Sequence, residues 1–242
     1  MSAGLLSLTS VLFISFVSII AVLPFLSRLR HLSALVPFLV SLAVGALLGD
    51  TFFHLLPASS SFNFVLVGFM VFFVLEKLIR WRHCHDFDCH DDDHSPVIVS
   101  LSLVGDLVHN FIDGLAIAGS FYLSPSLGLA TSVAVLLHEI PQEIGDFGIY
   151  LHAGFSLKKA LFLNLLSASS AIIAVLIYAP LSQTIDFTPW LIPATAGGFL
   201  YLSASDLIPE LHRHHPRLSS SLSQLLGITL GLSLMYLLTF LE

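Results

Sequence analysis

The chain has 242 residues, of which 56% are hydrophobic and only 10% charged. A soluble domain carries about 25% charged residues, and here Leu, Phe, Ile and Val come in runs of membrane-crossing length, which excludes a soluble globular protein in favour of a polytopic helical membrane protein. The net charge of -7 comes with no basic patch, so a nucleic-acid partner is excluded too.

Eight spans are expected in chain order, at about 4–26, 34–56, 62–80, 97–121, 127–151, 160–179, 189–211 and 219–241. They are apolar all round, unlike the alternating segments of a β-barrel. The first run lacks a basic leading region and reaches spanning length, so it is read as a retained helix. Pro24, Pro57, Pro96, Pro125, Pro180, Pro189 and Pro216 lie at or near span ends.

All nine Lys and Arg fall at or near the odd-numbered turns: Arg28 and Arg30, then Lys77, Arg80 and Arg82, then Lys158 and Lys159, then Arg213 and Arg217. The turns at 57–61, 122–126 and 180–188 have none. The positive-inside rule therefore makes the odd turns cytoplasmic and puts both termini outside. Gly45, His54 and Pro57 in span 2 share their spacing with Gly197, Asp206 and Pro209 in span 7. Those spans run in opposite directions, which suggests an inverted repeat of spans 1–3 and 6–8 around a central pair, a 3+2+3 plan. The chain is read as a single transmembrane transport domain, residues 1–242, with a cytoplasmic loop at 81–96.

Ionisable residues in the middle of apolar spans are costly and point to function. In span 4, Asp106, His109, Asn110 and Asp113 recur at i, i+3, i+4 and i+7, on one helical stripe that Gly114 adjoins. In span 5, His138, Glu139, Gln142, Glu143 and Asp146 occupy one broad side. Isolated carboxylates in hydrocarbon are excluded or neutralised, and divalent cations neutralise them. Mixed imidazole and carboxylate donors suit zinc or iron. His109 and His138 with Asp113, Glu139 and Glu143 would hold one or two ions. Pro141 gives its helix no N–H for the Leu137 carbonyl, so a bend is expected beside His138.

HNFIDG (109–114) and HEIPQEIGD (138–146) resemble the fourth- and fifth-helix signatures of the ZIP family of divalent-metal transporters. The resemblance is to the large subfamily whose fifth helix reads HEIPHE, with Gln142 here in place of the second His. It extends to GDTFFHLLP (49–57), SDLIPE (205–210) and the His-rich loop after span 3. It implies import toward the cytosol through a binuclear metal site between helices 4 and 5. It implies His109, Asn110, Asp113, His138, Glu139, Gln142 and Glu143 as metal ligands or their neighbours. It also suggests a homodimer. Gln142 is a weaker, harder donor than imidazole, which softens the preference for zinc over iron or manganese.

Asp50 and His54 lie toward the outer end of span 2 and are assigned to the metal entrance; Asp206 and Glu210 lie toward the inner end of span 7 and are assigned to the exit. Asp106 and Asp146 complete the expected pathway. The loop HCHDFDCHDDDH carries His83, Cys84, His85, Cys89, His90 and His94 with five Asp, a composition that binds metal without zinc-finger spacing. Its two Cys favour thiol or metal chemistry over a structural disulfide. The expected protein moves zinc, with iron or manganese as further substrates, across a plasma (cell inner) membrane, and is not an enzyme. The rival reading is an intramembrane zinc protease, because His138-Glu139 begins an HExxH; Gln142 removes its second His.

Overall fold

The computed structural model describes residues 2–22, 35–81, 96–213 and 218–241, and these are helical, with no strand among them. The helices are α1 (Ala3–Val22), α2 (Val36–Asp50), α3 (Asn63–Trp81), α4 (Pro96–Leu123), α5 (Pro125–His152), α6 (Leu157–Leu181), α7 (Thr188–Tyr201) and α8 (Leu218–Leu238). α2 continues through a wide turn, Thr51–Leu55. α7 continues through another, Leu202–Leu207, into a short helix, Ile208–Arg213. By length and composition, Ala3–Val22, Val36–Leu55, Leu157–Leu181, Thr188–His212 and Leu218–Leu238 are able to cross a membrane. The remaining long helices carry the polar groups: Glu76 and Lys77 on α3 and the two motifs on α4 and α5. The loop residues 83–94 named above lie outside the described residues.

Local chemistry sets the ends. Ser124 accepts the Leu127 N–H at 3.1 Å, with Pro125 as the first helical residue of α5. Ser156 caps α6 in the same way, through the Lys159 N–H. Pro141 lies inside α5, which runs on as one helix through it. Prolines also account for the wide turns. Pro57 has no N–H to offer the helix, and the preceding Leu56 N–H reaches five residues back to the Thr51 carbonyl at 2.9 Å. Pro209 has the same consequence, with Ile208 N–H bonding the Ser203 carbonyl. The two wide turns stand at matched places after Gly45 and Gly197, and carry His54 and Asp206 respectively.

Packing repeats the match. α2 lies along α8 and α7 along α3. A Cβ on Gly45 would stand 2.2 Å from the Ile228 carbonyl oxygen, and one on Gly197 would stand 1.9 Å from that of Val65. In return, Gly231 would meet the Leu42 oxygen at 2.4 Å and Gly68 the Ala194 oxygen at 2.0 Å. Each pair thus exchanges a glycine for a backbone carbonyl three residues away, a contact only small residues permit.

The helices sort into two sets. α1, α4, α5 and α6 pack on one another; of the others, α2 packs along α8 and α3 along α7, with a lighter contact between α2 and α7; α5 against α2 and α4 against α7 join the sets. The expected three-helix units are therefore not separate packed bodies. α1 leaves α2 and α3 to bury Val11, Ile14 and Val22 among α4, α5 and α6. A shared core of Leu47, Leu55, Ile117, Ala134 and Phe199 fills the seam. Elsewhere, large apolar side chains such as Phe16, Leu66, Phe162, Leu176 and Leu225 point outward, as a lipid-facing surface requires.

Candidate metal centre

α6 packs beside the α4 stripe. Gly114 brings the Ala171 carbonyl of α6 against α4, and the Ser170 hydroxyl donates to the Leu107 carbonyl at 2.8 Å. His109 and Asp113, one turn apart, then face the adjacent pair His138 and Glu139 of α5. These four residues offer four ligand atoms, all within 4.8 Å of one another.

The separations are short and even. His138 Nε2 is 2.9 Å from Asp113 Oδ2 and 3.2 Å from His109 Nε2. His109 Nε2 is 3.4 Å from Asp113 Oδ2 and 3.6 Å from Glu139 Oε1, and His138 Nε2 is 3.8 Å from Glu139 Oε1. A tetrahedral zinc ion with bonds of about 2.0–2.2 Å sets neighbouring donors about 3.3–3.5 Å apart. The five separations, 2.9–3.8 Å, bracket that spacing.

The tautomer of His138 is set from outside the cluster. Its Nδ1 lies 3.0 Å from the Ala134 carbonyl, which can only accept, so Nδ1 carries the proton and Nε2 presents its lone pair. His138, Glu139 and Asp113 are buried at 1%, 3% and 2% exposure, while His109 retains 12%. The ring of Phe199 on α7 packs edge-on against His138, with centroids 5.9 Å apart, and closes the side facing the other helix set.

The remaining motif residues go elsewhere. The side-chain amides of Asn110 and Gln142 both donate to Asp106 Oδ1, at 2.8 and 3.2 Å, so these two residues are one step removed from the four donors. Glu143 is buried outside the four-residue group, and Asp146 accepts a hydrogen bond from Ser102. Asp50 and His54 are buried in α2; His54 Nε2 donates to the Met235 carbonyl of α8 at 2.9 Å. Asp206 and Glu210 also lie outside the group.

Sequence reasoning overlooked α6. Asn164, buried there, donates to the Glu143 carbonyl at 3.2 Å, and Ser167 lies on the same face. The stripe of Asn164, Ser167, Ser170 and Ala171 was the available signal: small or polar residues at helical spacing in an apolar span. Ser102, four residues before Asp106, extended the α4 stripe in the same manner.

Comparison with known proteins agrees with this geometry. The profile of the family described as ZIP Zinc transporter matches residues 80–239. Zinc transporter ZIP13 of Pongo abelii is 34% identical over 82% of this chain, and zinc transporter YKE4 of Saccharomyces cerevisiae is 29% identical over 80%. The chain spans 65% and 66% of those two proteins, just under two thirds of their length. Zinc transporter ZIP13 of Danio rerio is 31% identical, over 83% of this chain and 75% of its own. The relatives are named as transporters, which lends nothing to the protease reading. A match over most of the chain, covering both polar helices, shows that this protein belongs to the ZIP zinc transporter family.

Proposed function

We propose that the protein carries zinc across a membrane toward the cytosol, with His109, Asp113, His138 and Glu139 as the ligands of the transported ion. The observation that carries this reading is the convergence of their four donor atoms on a space of zinc-like dimensions. The family membership supports it, and so do the names of the relatives, which are zinc transporters. The ion is substrate here rather than a resident cofactor. Iron and manganese are further substrates on this reading, since Gln142 stands where the resembling subfamily has His.

The architecture we assign is eight spans with both termini outside, residues 1–242 forming one transport domain in a plasma (cell inner) membrane. The 3+2+3 inverted repeat is supported by the matched wide turns after Gly45 and Gly197 and by the reciprocal glycine contacts of α2–α8 and α7–α3. Asp50 and His54 are assigned to the entrance, Asp206 and Glu210 to the exit. Asn110, Gln142 and Glu143 are assigned to the binuclear centre as further ligands or their neighbours. His83, Cys84, His85, Cys89, His90 and His94 would gather metal at the cytosolic face. A homodimer is the assembly we expect.

Transport in this scheme moves the set carrying the four ligands, α1, α4, α5 and α6, against the set that does not. The seam at Phe199 and His138 is where they would slide. The test is uptake of zinc, iron and manganese, each competed by the others, into proteoliposomes containing the purified chain. Zinc accumulation supports the reading; hydrolysis of a membrane substrate without zinc flux overturns it.

A further inference from the structure

α6 carries none of the four ligands, yet it is bonded to both helices that do. It lies along α4 and meets α5 only lightly, although a short turn joins α5 to α6. On the α4 side, the Ala171 carbonyl fills the space a Cβ would need at Gly114, the residue after Asp113. The Ser170 hydroxyl donates to the Leu107 carbonyl, two residues before His109. On the α5 side, the Asn164 amide donates from Nδ2 to the Glu143 carbonyl at 3.2 Å, one turn beyond Glu139. Asn164 and Ala171 are seven residues apart, two turns along one face of α6.

An amide is costly at position 164. Asn164 is 1% exposed in a helix apolar enough to cross a membrane, and its Oδ1 has no hydrogen-bond partner among the described residues. A buried amide with its oxygen unmatched is destabilising. The one bond it makes is not needed by its acceptor. The Glu143 carbonyl stands inside α5, which is continuous, so the helix's own ladder already supplies a donor. Leucine at 164 would suit the apolar span and remove the unmatched oxygen. The use of the amide is therefore to be sought in what it holds, which is the backbone of the α5 turn that follows Glu139.

The ligands come as two pairs on two helices, His109 and Asp113 from α4 and His138 and Glu139 from α5. The size of the cluster is thus the separation of α4 and α5 at this depth. A third helix bonded to the backbone of both fixes that separation without entering the cluster. We propose that Asn164 is a positioning residue. It holds α5 to α6 while Ser170 and Gly114 hold α4 to the same helix, and the spacing of the two ligand pairs, hence the size of ion they accept, follows from these three contacts. Asn164 does not touch the ion; it acts through the Glu143 backbone. This role rests on the four-ligand reading of the site. Partners outside the ligand shell tune metal affinity by orienting the ligands. A tetrahedron of short bonds suits zinc, whereas cadmium, a larger ion of the same charge, tolerates a wider one.

The test is isothermal titration of zinc and of cadmium into the full chain in detergent, with the His, Cys and Asp residues of 83–94 replaced by Ser to remove that competing binder. The melting temperature of the metal-free protein is read alongside. Asn164→Leu keeps the bulk of the side chain and removes the donor. Its metal-free melting temperature should be unchanged or higher, its zinc affinity should fall about tenfold, and its cadmium affinity should fall less, so that the preference for zinc over cadmium shrinks. An unchanged zinc affinity, or zinc and cadmium affinities that fall by the same factor, overturns the proposal, because a merely structural role would leave the ratio where it was. If Asn164→Leu does not fold, Ser170→Ala, which releases α6 from α4 instead, decides by the same ratio. Zinc binding that survives His109→Ala, His138→Ala at full affinity would overturn the ligand assignment itself, and this role with it.

Discussion

His138 Nε2 stands 2.9 Å from Asp113 Oδ2, and neither atom brings a proton of its own once Nδ1–H is committed to the Ala134 carbonyl. Two lone pairs at that distance repel unless a cation lies between or beside them. The cation is either a second proton on the imidazole or a metal ion. The fold therefore holds the site in a state where proton and metal compete for one place, and loss of either partner should be severe. His138→Ala or Asp113→Ala should lower zinc uptake about tenfold or more while detergent-extracted protein still elutes as one folded species. Uptake by either variant near the unaltered level would remove its residue from the ligand set.

The same competition fixes the direction of the pH dependence. Histidine ligands bind metal only when deprotonated, and a free imidazole takes its proton near about pH 6.5. Zinc affinity of the purified protein should thus fall as pH is lowered from about 7.5 to about 5.5, by up to about tenfold per pH unit for each imidazole titrated. Isothermal titration at the two pH values would check this, and affinity unchanged or higher at the acid value would contradict it.

Gln142 is held away from the four donors by its bond to Asp106. Replacing it by His puts an imidazole in reach of the same space and removes an amide. Gln142→His should raise zinc affinity relative to manganese, seen as weaker inhibition of zinc uptake by added manganese. Equal or stronger inhibition would mean that position 142 does not set selectivity.

The glycine contacts make a stability prediction with a built-in control. Gly197→Ala places a methyl 1.9 Å from the Val65 carbonyl oxygen and forces α7 away from α3, at a cost of about 1–3 kcal/mol. A Cβ at Gly145, on the open side of α5, meets nothing within 4 Å, so Gly145→Ala should be neutral or stabilising by about 0.5–1 kcal/mol. Melting temperatures in detergent would separate them. A Gly197→Ala variant as stable as Gly145→Ala would show the tight contact to be dispensable.

Much of this was legible in the sequence, because in a membrane protein polar residues are rare enough to be informative. The expected span at 97–121 became Pro96–Leu123 and that at 127–151 became Pro125–His152, since prolines and cap serines mark the ends. The stripe through His109 and Asp113 could be seen because helical periodicity brings i and i+4 together. Three matched positions, Gly45, His54 and Pro57 against Gly197, Asp206 and Pro209, hinted at the paired wide turns. What was hidden depended on partners distant in sequence. Nothing local says that Gln142, 36 residues along the chain, would reach Asp106. Nor does sequence order reveal that α1 joins α4, α5 and α6, since packing among uniformly apolar helices is decided by small residues such as Gly114 and Gly197.

X-ray absorption at the zinc edge of the loaded, purified chain, with residues 83–94 freed of His, Cys and Asp, tests the central claim most directly. Four N/O donors at about 2.0–2.1 Å, with the outer-shell scattering of two imidazoles that disappears in the His109→Ala, His138→Ala variant, are expected. A zinc environment with no imidazole scattering, or one unchanged in that variant, would contradict the account.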